Sequence, residues 1–220
     1  MKKLIALLLM AVICLSFAAC SQTTDGPADG PADGPADNSA ITTEKAEELK
    51  ITAVGENVSF GTYYYEGTNS KEVTWIVLDI QADKALLISK SALEPKRNEE
   101  PDSYGYLNLL ATKMFTKEEL SKIISTEVNG ESSYMFLLSS EDVEQYMPGE
   151  DNKLRLAMAT GYAIDNGVKV YEGYISGAYC NWVLRDGNWV GGQRGNSGDI
   201  CTTQAKYSYG IRPAIWVSIP

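Results

Sequence analysis

The feature that most constrains the fold of this 220-residue chain is a run of three strand-like segments between residues 57 and 90. The first, NVSFGTYYYEG, alternates apolar and polar side chains, and the next two, VTWIVLDI and KALLISK, are rich in β-branched, aromatic or aliphatic residues. The breaks at 67–70 and 81–84 hold turn-forming Gly, Asn, Ser and Asp. The pattern therefore predicts a three-stranded antiparallel meander, with these expected core residues: Phe60, Trp75, Val77, Leu86 and Ile88.

Downstream, the pattern mixes helices with further short strands. Residues Thr116–Glu119 have the form of a capping box, and Leu120, Ile123 and Ile124 then predict the apolar stripe of a helix. Further predicted helices begin near Tyr104, span Glu141–Tyr146 behind a Ser139 or Ser140 cap, and span Leu154–Ala163. Strands are expected at 134–138, 168–176, 180–186, 189–190 and 210–218, where Pro213 indicates an edge position or a bulge. Surface loops are expected at 91–103 and 191–208.

Residues 1–19 have the layout of a secretory signal peptide. Lys2 and Lys3 precede an apolar run from Leu4 to Phe17, and two alanines follow. Because Phe-Ala-Ala-Cys resembles a bacterial lipobox, Cys20 is predicted to carry a lipid and to become the mature N-terminus. Such a lipid would anchor the protein to the extracellular face of the cell membrane without spanning it. The alternative is ordinary secretion, with Cys20 incidental.

Residues 20–40 are predicted to form a disordered tether. They contain DGPADGPADGPAD, from Asp25 to Asp37, with no aromatic or branched aliphatic residue. Such a composition cannot bury a core, and its prolines favour an extended spacer. The remaining residues, 41–220, are long enough to form a single globular domain with a sizeable core.

Charge and composition exclude several classes of function. The chain has 19 Lys and Arg against 29 Asp and Glu, a net charge of −10 that becomes −12 when Lys2 and Lys3 are removed with the leader. Nucleic acid and anionic headgroups require a basic face, so neither is an expected partner. The absence of histidine excludes Ser-His-Asp and Cys-His catalysis and His-ligated zinc. No metal site and no cofactor is predicted.

Apart from Cys20, the only cysteines outside the leader are Cys180 and Cys201. In an oxidising exterior such a pair is expected to form a disulfide, which would stabilise the fold by about 3 kcal/mol in the chain-entropy model. The alternative is a reactive or metal-binding pair, although no acidic or histidine ligand stands at metal-like spacing beside it.

The last forty residues are the predicted binding region. They hold three of the four tryptophans and a loop rich in Gly, Asn, Ser and Asp, which is how many proteins present a binding surface on a rigid frame. Trp182 and Trp216 suit the core, whereas Trp189 and Arg194 lie beside glycines and are candidates for exposure. Arg185 and Arg212 could instead pair with buried carboxylates or cap strand ends. The candidate ligand-binding residues are Tyr179, Trp182, Arg185, Asn188, Trp189, Arg194 and Asn196.

Taken in order, these segments resemble domain-of-unknown-function family 6273, found largely in secreted and lipid-anchored proteins of gut-type Gram-positive bacteria. The family shows a tryptophan-valine-leucine strand, an FLLS run, a WWLRS run and a closing GVRPAL. The corresponding pieces here are FGTY at 60–63, WIVLDI at 75–80, KALLIS at 84–89, YLN at 106–108, FTKEE at 115–119, MFLLSSEDV at 135–143, NWVLRD at 181–186 and YGIRPAIWV at 209–217. The chain departs from the family at SYGYLN, where the stretch before WLN is shortened, and at NWVLRD.

The resemblance implies a fold class and no established activity. It implies an α+β fold of small twisted antiparallel sheets flanked by two or three helices, similar to C-type lectins and formylglycine-generating enzymes. The calcium-binding motifs of calcium-dependent lectins are missing, and Glu94-Pro95-Lys96 is only a partial match, so calcium chelation of sugars is not expected.

Three functions are compatible with these observations. The leading hypothesis is a non-catalytic, surface-displayed recognition module that binds a surface glycan or a protein through the late loop. The second is an oxidase-type enzyme related to the formylglycine-generating enzymes, which would need reduced or metal-bound Cys180 and Cys201. The third is a structural envelope or assembly protein that pairs through a sheet edge.

Overall fold

The computed structural model describes residues 49–96, 104–128, 130–149, 153–172, 178–192, 198–206 and 208–220. All of them belong to one compact unit, Lys45–Pro220. The predicted signal peptide, Cys20, the DGPA tether and two of the candidate ligand-binding residues, Arg194 and Asn196, lie outside the described residues.

The described residues form many short strands and a few short helices. The strands are β1 (Asn57–Glu66), β2 (Asn69–Gln81), β3 (Lys84–Ser89), β4 (Ser91–Ala92), β5 (Glu94–Pro95), β6 (Ile123–Ile124), β7 (Thr126–Val128), β8 (Glu131–Ser133), β9 (Ala157–Ala159), β10 (Val170–Glu172), β11 (Ala178–Cys180), β12 (Trp182–Val183), β13 (Trp189–Val190), β14 (Ile200–Cys201), β15 (Gly210–Ile211) and β16 (Ala214–Ser218). The helices are α1 (Tyr104–Met114), α2 (Lys117–Leu120), α3 (Ser140–Tyr146) and α4 (Gly161–Asp165), with a 3₁₀ turn at Lys153–Arg155. The fold is therefore mixed α+β and mostly sheet.

The central sheet has the strand order β1-β2-β3-β16-β6, with every neighbouring pair antiparallel. The meander predicted from the sequence is thus confirmed, and its five expected core residues are all buried. The closing strand β16 adds to β3, so the last segment of the chain lies in the middle of the first sheet. Two smaller sheets, β10-β11-β9-β4 and β14-β13-β12-β15-β5, and the hairpin β7-β8 complete the architecture.

Both faces of the central sheet are covered by apolar clusters. On β2, Trp75 and Val77 belong to one cluster, whereas Ile76 and Leu78 belong to the other. The same alternation continues on β3 and β16, as expected when successive strand side chains point to opposite faces. This is why these strands read as nearly continuous apolar runs in the sequence.

The capping box predicted at Thr116 is present, and the predicted cap of α3 is Ser139, which also forms a capping box. The Thr116 side chain accepts from the Glu119 backbone N–H, and Glu119 accepts from the Thr116 N–H in return. Ser139 and Asp142 make the same reciprocal pair in front of α3. Each arrangement satisfies backbone donors that the first turn of a helix leaves without an intrahelical partner.

Several predicted boundaries were wrong because tertiary pairing overrode local pattern. Residues Ile123 and Ile124 leave α2 and pair with β16, so they do not extend the helix. The segment 154–163 is not one helix, since it contains the 3₁₀ turn, β9 and the start of α4. Residues 134–138 are mostly buried but form only a bridge, between Phe136 and Ala214. On α1, Leu107 and Leu110 are buried whereas Leu109 is exposed.

The two predicted loops and the closing strand also differ from expectation. Residues 92–95 are buried, and β4 (91–92) and β5 (94–95) form within the first predicted loop. Ile200–Cys201 forms β14 within the predicted 191–208 loop. Pro213 is neither at an edge nor in a bulge. With Arg212 it separates β15 from β16, so that the chain passes from one sheet to another, and its carbonyl accepts from the Ser89 backbone N–H at 2.9 Å.

Candidate functional site

The tryptophans of the predicted late-loop site are buried. Trp182 is 0% exposed, and its Nε1–H donates to the Arg155 carbonyl at 2.8 Å. Trp189, expected to be exposed, is 6% exposed, and its Nε1–H donates to Thr203 Oγ1 at 3.1 Å. The Trp189 ring also packs on Tyr209 with centroids 4.9 Å apart. Because both indole N–H groups are satisfied internally, these rings serve packing and offer no contact surface.

Arg185 and Asn188 fasten the β12-β13 turn to the start of α3. The Arg185 guanidinium pairs with Asp142 and donates to the Leu137 carbonyl at 3.1 Å. Asn188 donates through Nδ2 to Ser140 Oγ at 2.9 Å, and Asp186 accepts from the Ser140 backbone N–H at the same distance. Arg185 thus pairs with a carboxylate, which was the alternative to a ligand-binding role in the sequence analysis. Of the other candidates, Tyr179 is half-buried on β11, opposite Tyr171 and Met158.

The predicted disulfide is wrong for this structure, because Cys180 and Cys201 are not bonded to each other. Cys180 ends β11 and lies in one apolar cluster, whereas Cys201 on β14 packs against the other. The two cysteines also lie in different sheets, since β11 belongs to the β10-β11-β9-β4 sheet and β14 to the β14-β13-β12-β15-β5 sheet. Burial raises the pKa of the Cys180 thiol to about 12, although the nearby Arg212 guanidinium partly offsets this.

Arg212 is a structural residue in the closing GIRPAIW segment. Its guanidinium is fully buried, donates to the carbonyls of Ser89 and Leu154, and stacks on Trp182 with Cζ 5.0 Å from the ring centroid. Burial lowers the Arg212 pKa to about 10. No carboxylate of the described residues pairs with it, so its expected acidic partner is replaced by backbone carbonyls and an aromatic face.

A different set of side chains lines an open groove of ≈ 240 Å³ between the far end of the β1-β2 hairpin and the β4-β9 pair. We call it the tyrosine groove. Its lining residues are Tyr63, Tyr64, Tyr65, Lys71, Glu72, Val73, Thr74, Lys90, Ser91, Leu93, Met158 and Thr160. Three of them, Tyr64, Tyr65 and Met158, are large side chains with exposures of 39%, 44% and 43%. The groove therefore has an apolar, partly aromatic surface open to solvent.

A bulge brings three consecutive tyrosines to this groove. Tyr64 pairs with Ser70 and Glu66 with Asn69, so Tyr65 is an extra residue with no partner in β2. Regular strands place successive side chains on opposite faces, and a bulge re-aims them. Tyr162 of α4 packs on the same group, with its ring centroid 5.8 Å from that of Tyr63 and 5.1 Å from that of Tyr64.

The approach of α4 depends on Gly161. A Cβ at this position would lie 3.1 Å from the Tyr65 carbonyl oxygen, tighter than ordinary van der Waals contact. Thr160 caps the helix by accepting from the Ala163 backbone N–H at 3.1 Å. The Thr-Gly-Tyr sequence thereby holds α4 close against the hairpin and fixes the ring of Tyr162.

Below the exposed rings, Tyr63 donates its hydroxyl hydrogen to the Glu94 carboxylate, and both residues are buried. Burial first, and then the hydrogen bond and charge of Glu94, raise the Tyr63 pKa above its ordinary value. The phenol therefore stays protonated, and the pair makes a rigid polar floor. Lys71 lies above, with its Nζ 4.2 Å from the centroid of the Tyr65 ring.

Sequence reasoning assigned the tyrosines only to a strand and missed this groove. One signal was available: three adjacent tyrosines on a strand cannot all follow the in–out alternation of a core-facing strand. The other wall had no comparable signal, because Lys90 and Met158 come together only through the parallel pairing of β4 with β9.

Within the described ranges, no cluster of three or more Asp, Glu, Cys or His side chains could hold a metal ion. Over the same residues, no helix has the length and apolar character needed to cross a membrane.

The architecture defines a mixed α+β domain, mostly sheet, with an open groove beside its longest hairpin. The chain belongs to the family described as "Domain of unknown function (DUF6273)", whose model matches residues 83–219. The match begins at β3, so the tyrosine-bearing hairpin precedes it, whereas Lys90, Met158 and Thr160 lie inside it. No curated protein and no solved structure matches the chain.

Proposed function

We propose that this protein is a lipid-anchored bacterial surface protein whose domain is a non-catalytic recognition module that binds a carbohydrate in the tyrosine groove. The observation that carries this proposal is the pair of solvent-exposed rings, Tyr64 and Tyr65, beside hydroxyl, amine and carboxylate groups in one open depression. Aromatic faces contribute large contact area at low entropic cost, and the polar rim provides hydrogen bonds that orient a ligand.

The size of the groove suits one sugar unit at a time. Sites for larger ligands enclose about 300–1,000 Å³, whereas this groove encloses ≈ 240 Å³ and is open on one side. An open depression of this size fits a chain end or one residue of a polysaccharide. The proposed ligand surface thus moves from the late loop to the hairpin, since Trp182 and Trp189 are buried.

Binding of the full chain to a glycan and peptidoglycan-fragment array tests this proposal. We expect Tyr64→Ala and Tyr65→Ala each to abolish a hit, because each removes an exposed ring from the groove. Tyr134→Ala is the matched control, since Tyr134 is exposed to a similar degree at 37% and does not line the groove. An array without hits, or hits indifferent to both groove variants, would overturn carbohydrate binding and direct the search to protein ligands.

The proposed anchoring rests on the Phe-Ala-Ala-Cys sequence at residues 17–20. Expression in a Gram-positive host with a labelled fatty acid tests it. The wild-type chain is expected to incorporate label and to fractionate with membranes, whereas Cys20→Ser is expected to lose both properties. Labelled Cys20→Ser protein would show that this cysteine is not the acceptor.

We further propose that the α+β architecture is C-type-lectin-like, with the β14-β13-β12-β15-β5 sheet packed against the central sheet through a shared apolar cluster. The formylglycine-type enzyme is the weaker alternative, because it requires a cooperating thiol pair, whereas Cys180 lies in one apolar cluster and Cys201 packs against the other. Assembly through a sheet edge would give a discrete oligomer by size exclusion with light scattering, and a monomer would remove its main support.

A further inference from the structure

We propose that the tyrosine groove selects an anionic saccharide, with Lys71 and Lys90 binding its carboxylate or phosphate group. This inference rests on the proposed function and names the ligand class of the same site. Its starting point is a local reversal of charge. The chain carries 29 acidic and 19 basic residues, yet the groove is lined by two lysines and one carboxylate, Glu72.

Neither lysine is neutralised from within the described part of the protein. The ion pairs there join Arg155 to Glu144 and Arg185 to Asp142, both away from the groove lining. In a chain with such an excess of acidic side chains, two lysines that line one depression, neither with an ion-pair partner among the described residues, leave a positive site. A positive site flanked by apolar rings is complementary to an acid group carried on a sugar ring.

The two lysines line the groove from different segments of the chain. Lys71 lies on β2 opposite Tyr63, and its Nζ sits 4.2 Å above the Tyr65 ring, which holds it at the rim. Lys90 lies between β3 and β4, where its backbone N–H donates to the Thr74 carbonyl at 2.9 Å. The backbone that carries Lys90 is therefore fixed to β2, the strand that carries Lys71.

Lysine suits this role because its ammonium is a compact charge with three hydrogen-bond donors. It can therefore bind either a carboxylate or a phosphate group. Tyr64 lines the groove together with the two lysines, and its exposed ring can pack against the sugar ring of the ligand. The Tyr63–Glu94 pair below keeps its own carboxylate engaged with a protonated phenol. We therefore assign the acid group of the ligand to the lysines and its ring to the tyrosines.

The test measures binding of the full chain to matched oligosaccharides of equal length that are neutral, carry a uronic acid carboxylate, or carry a phosphate monoester. We expect at least one acidic form to bind about tenfold or more tightly than the neutral form, since a charge-assisted hydrogen bond is worth about that much. Lys71→Ala and Lys90→Ala should each remove most of this preference, and Lys71→Arg and Lys90→Arg should retain it. Raising the salt concentration should weaken only the acidic ligands.

Lys84→Ala is the matched control. Lys84 also sits over an aromatic ring, with its Nζ 4.6 Å from the Trp216 centroid, but it does not line the groove. Its removal should leave the preference unchanged, which separates a local effect from a change in total charge. A direct comparison of the carboxylate and phosphate ligands then shows which of the two acid groups the site binds.

Two results would overturn the inference, and they differ in what they leave standing. If neutral and acidic ligands bind equally and both lysine variants are silent, the anionic subsite is absent, while loss of binding in Tyr65→Ala still supports carbohydrate recognition. If no oligosaccharide of any charge binds, the inference and the proposed function fail together.

Discussion

The region around Trp182 and the tyrosine groove contain similar kinds of side chain in opposite environments. Each combines aromatic rings with cations, and in each a cation lies over a ring: Arg212 over Trp182 at 5.0 Å and Lys71 over Tyr65 at 4.2 Å. Trp182 and Arg212 are both buried, and the Trp182 indole, Arg212 Nε and Arg212 Nη1 donate to backbone carbonyls. In the groove the rings of Tyr64 and Tyr65 and the ammonium of Lys71 face solvent.

The difference teaches how aromatic residues are divided between packing and recognition. An indole N–H that is buried must find an internal acceptor, and Trp182 finds one in the Arg155 carbonyl. The bulge at Tyr65 has the opposite effect, because it turns an extra ring out of the core and leaves that residue without a partner in β2. Local backbone irregularity, more than aromatic content, therefore marks the candidate site.

Among the variants that distinguish the Trp182 region from the tyrosine groove, Trp182→Ala is expected to lower the free energy of unfolding most. Trp182 is fully buried, and truncation would leave a cavity and remove the packing surface beneath Arg212. We expect a loss of about 3–5 kcal/mol in the free energy of unfolding, measured by urea denaturation. Trp216→Ala is the control, since Trp216 is only half-buried and should cost clearly less. Equal losses would contradict the assignment of Trp182 to the core.

The next largest effect concerns the cysteines. Cys180→Ser places a hydroxyl in an apolar cluster and should cost about 1–3 kcal/mol, whereas Cys201→Ser, at a half-buried position, should cost less. Adding a reductant should leave the unfolding midpoint unchanged, because there is no disulfide to break. Equal losses in both variants, together with destabilisation by the reductant, would restore the disulfide predicted from the sequence.

The attachment of α3 to the β12-β13 turn should show a smaller effect. Asp142→Ala removes a carboxylate that caps α3 and pairs with Arg185, both near the surface. We expect a loss of about 1–2 kcal/mol, from the cap and a partly screened ion pair. The neighbouring Glu141→Ala removes a charge from the same first turn without removing the cap, and it should change stability by less than about 0.5 kcal/mol. A large loss in Glu141→Ala would indicate that general helix charge, and not the cap, holds α3.

The parts of the fold that sequence predicted correctly are those in which local and tertiary demands agree. The meander of β1 to β3 pairs neighbouring segments through short turns, so periodicity and turn residues suffice. The boxes at Thr116 and Ser139 are likewise local. Leu120, Ile123 and Ile124 have helical spacing, but Ile123 and Ile124 pair with the distant β16, and no short-range pattern contains that pairing.

The site was harder to predict than the fold because its two walls are remote in sequence. The tyrosine wall lies at 63–65, and the opposing wall forms where β4, at 91–92, pairs in parallel with β9, at 157–159. Burial of Trp189 was equally hidden, since its neighbouring glycines suggested exposure, while its acceptor, Thr203, lies within the predicted 191–208 loop. Sequence pattern reports which residues alternate, and only tertiary pairing decides which of them remain open to solvent.

The smallest expected effect on stability is also the sharpest test of the contrast. Tyr65 is the unpaired residue of the β1 bulge and is exposed, so Tyr65→Ala should lower the free energy of unfolding by less than about 1 kcal/mol, including its contact with Lys71. Its near neighbour Tyr63 is buried and bonded to Glu94, so Tyr63→Ala should lose about 3 kcal/mol or more. Urea denaturation of both variants measures the difference. If Tyr65→Ala lost as much stability as Tyr63→Ala, its ring would belong to the core and the groove would be closed in solution. A small loss of stability in Tyr65→Ala, combined with a loss of glycan binding, would show that Tyr65 serves ligand recognition and not packing.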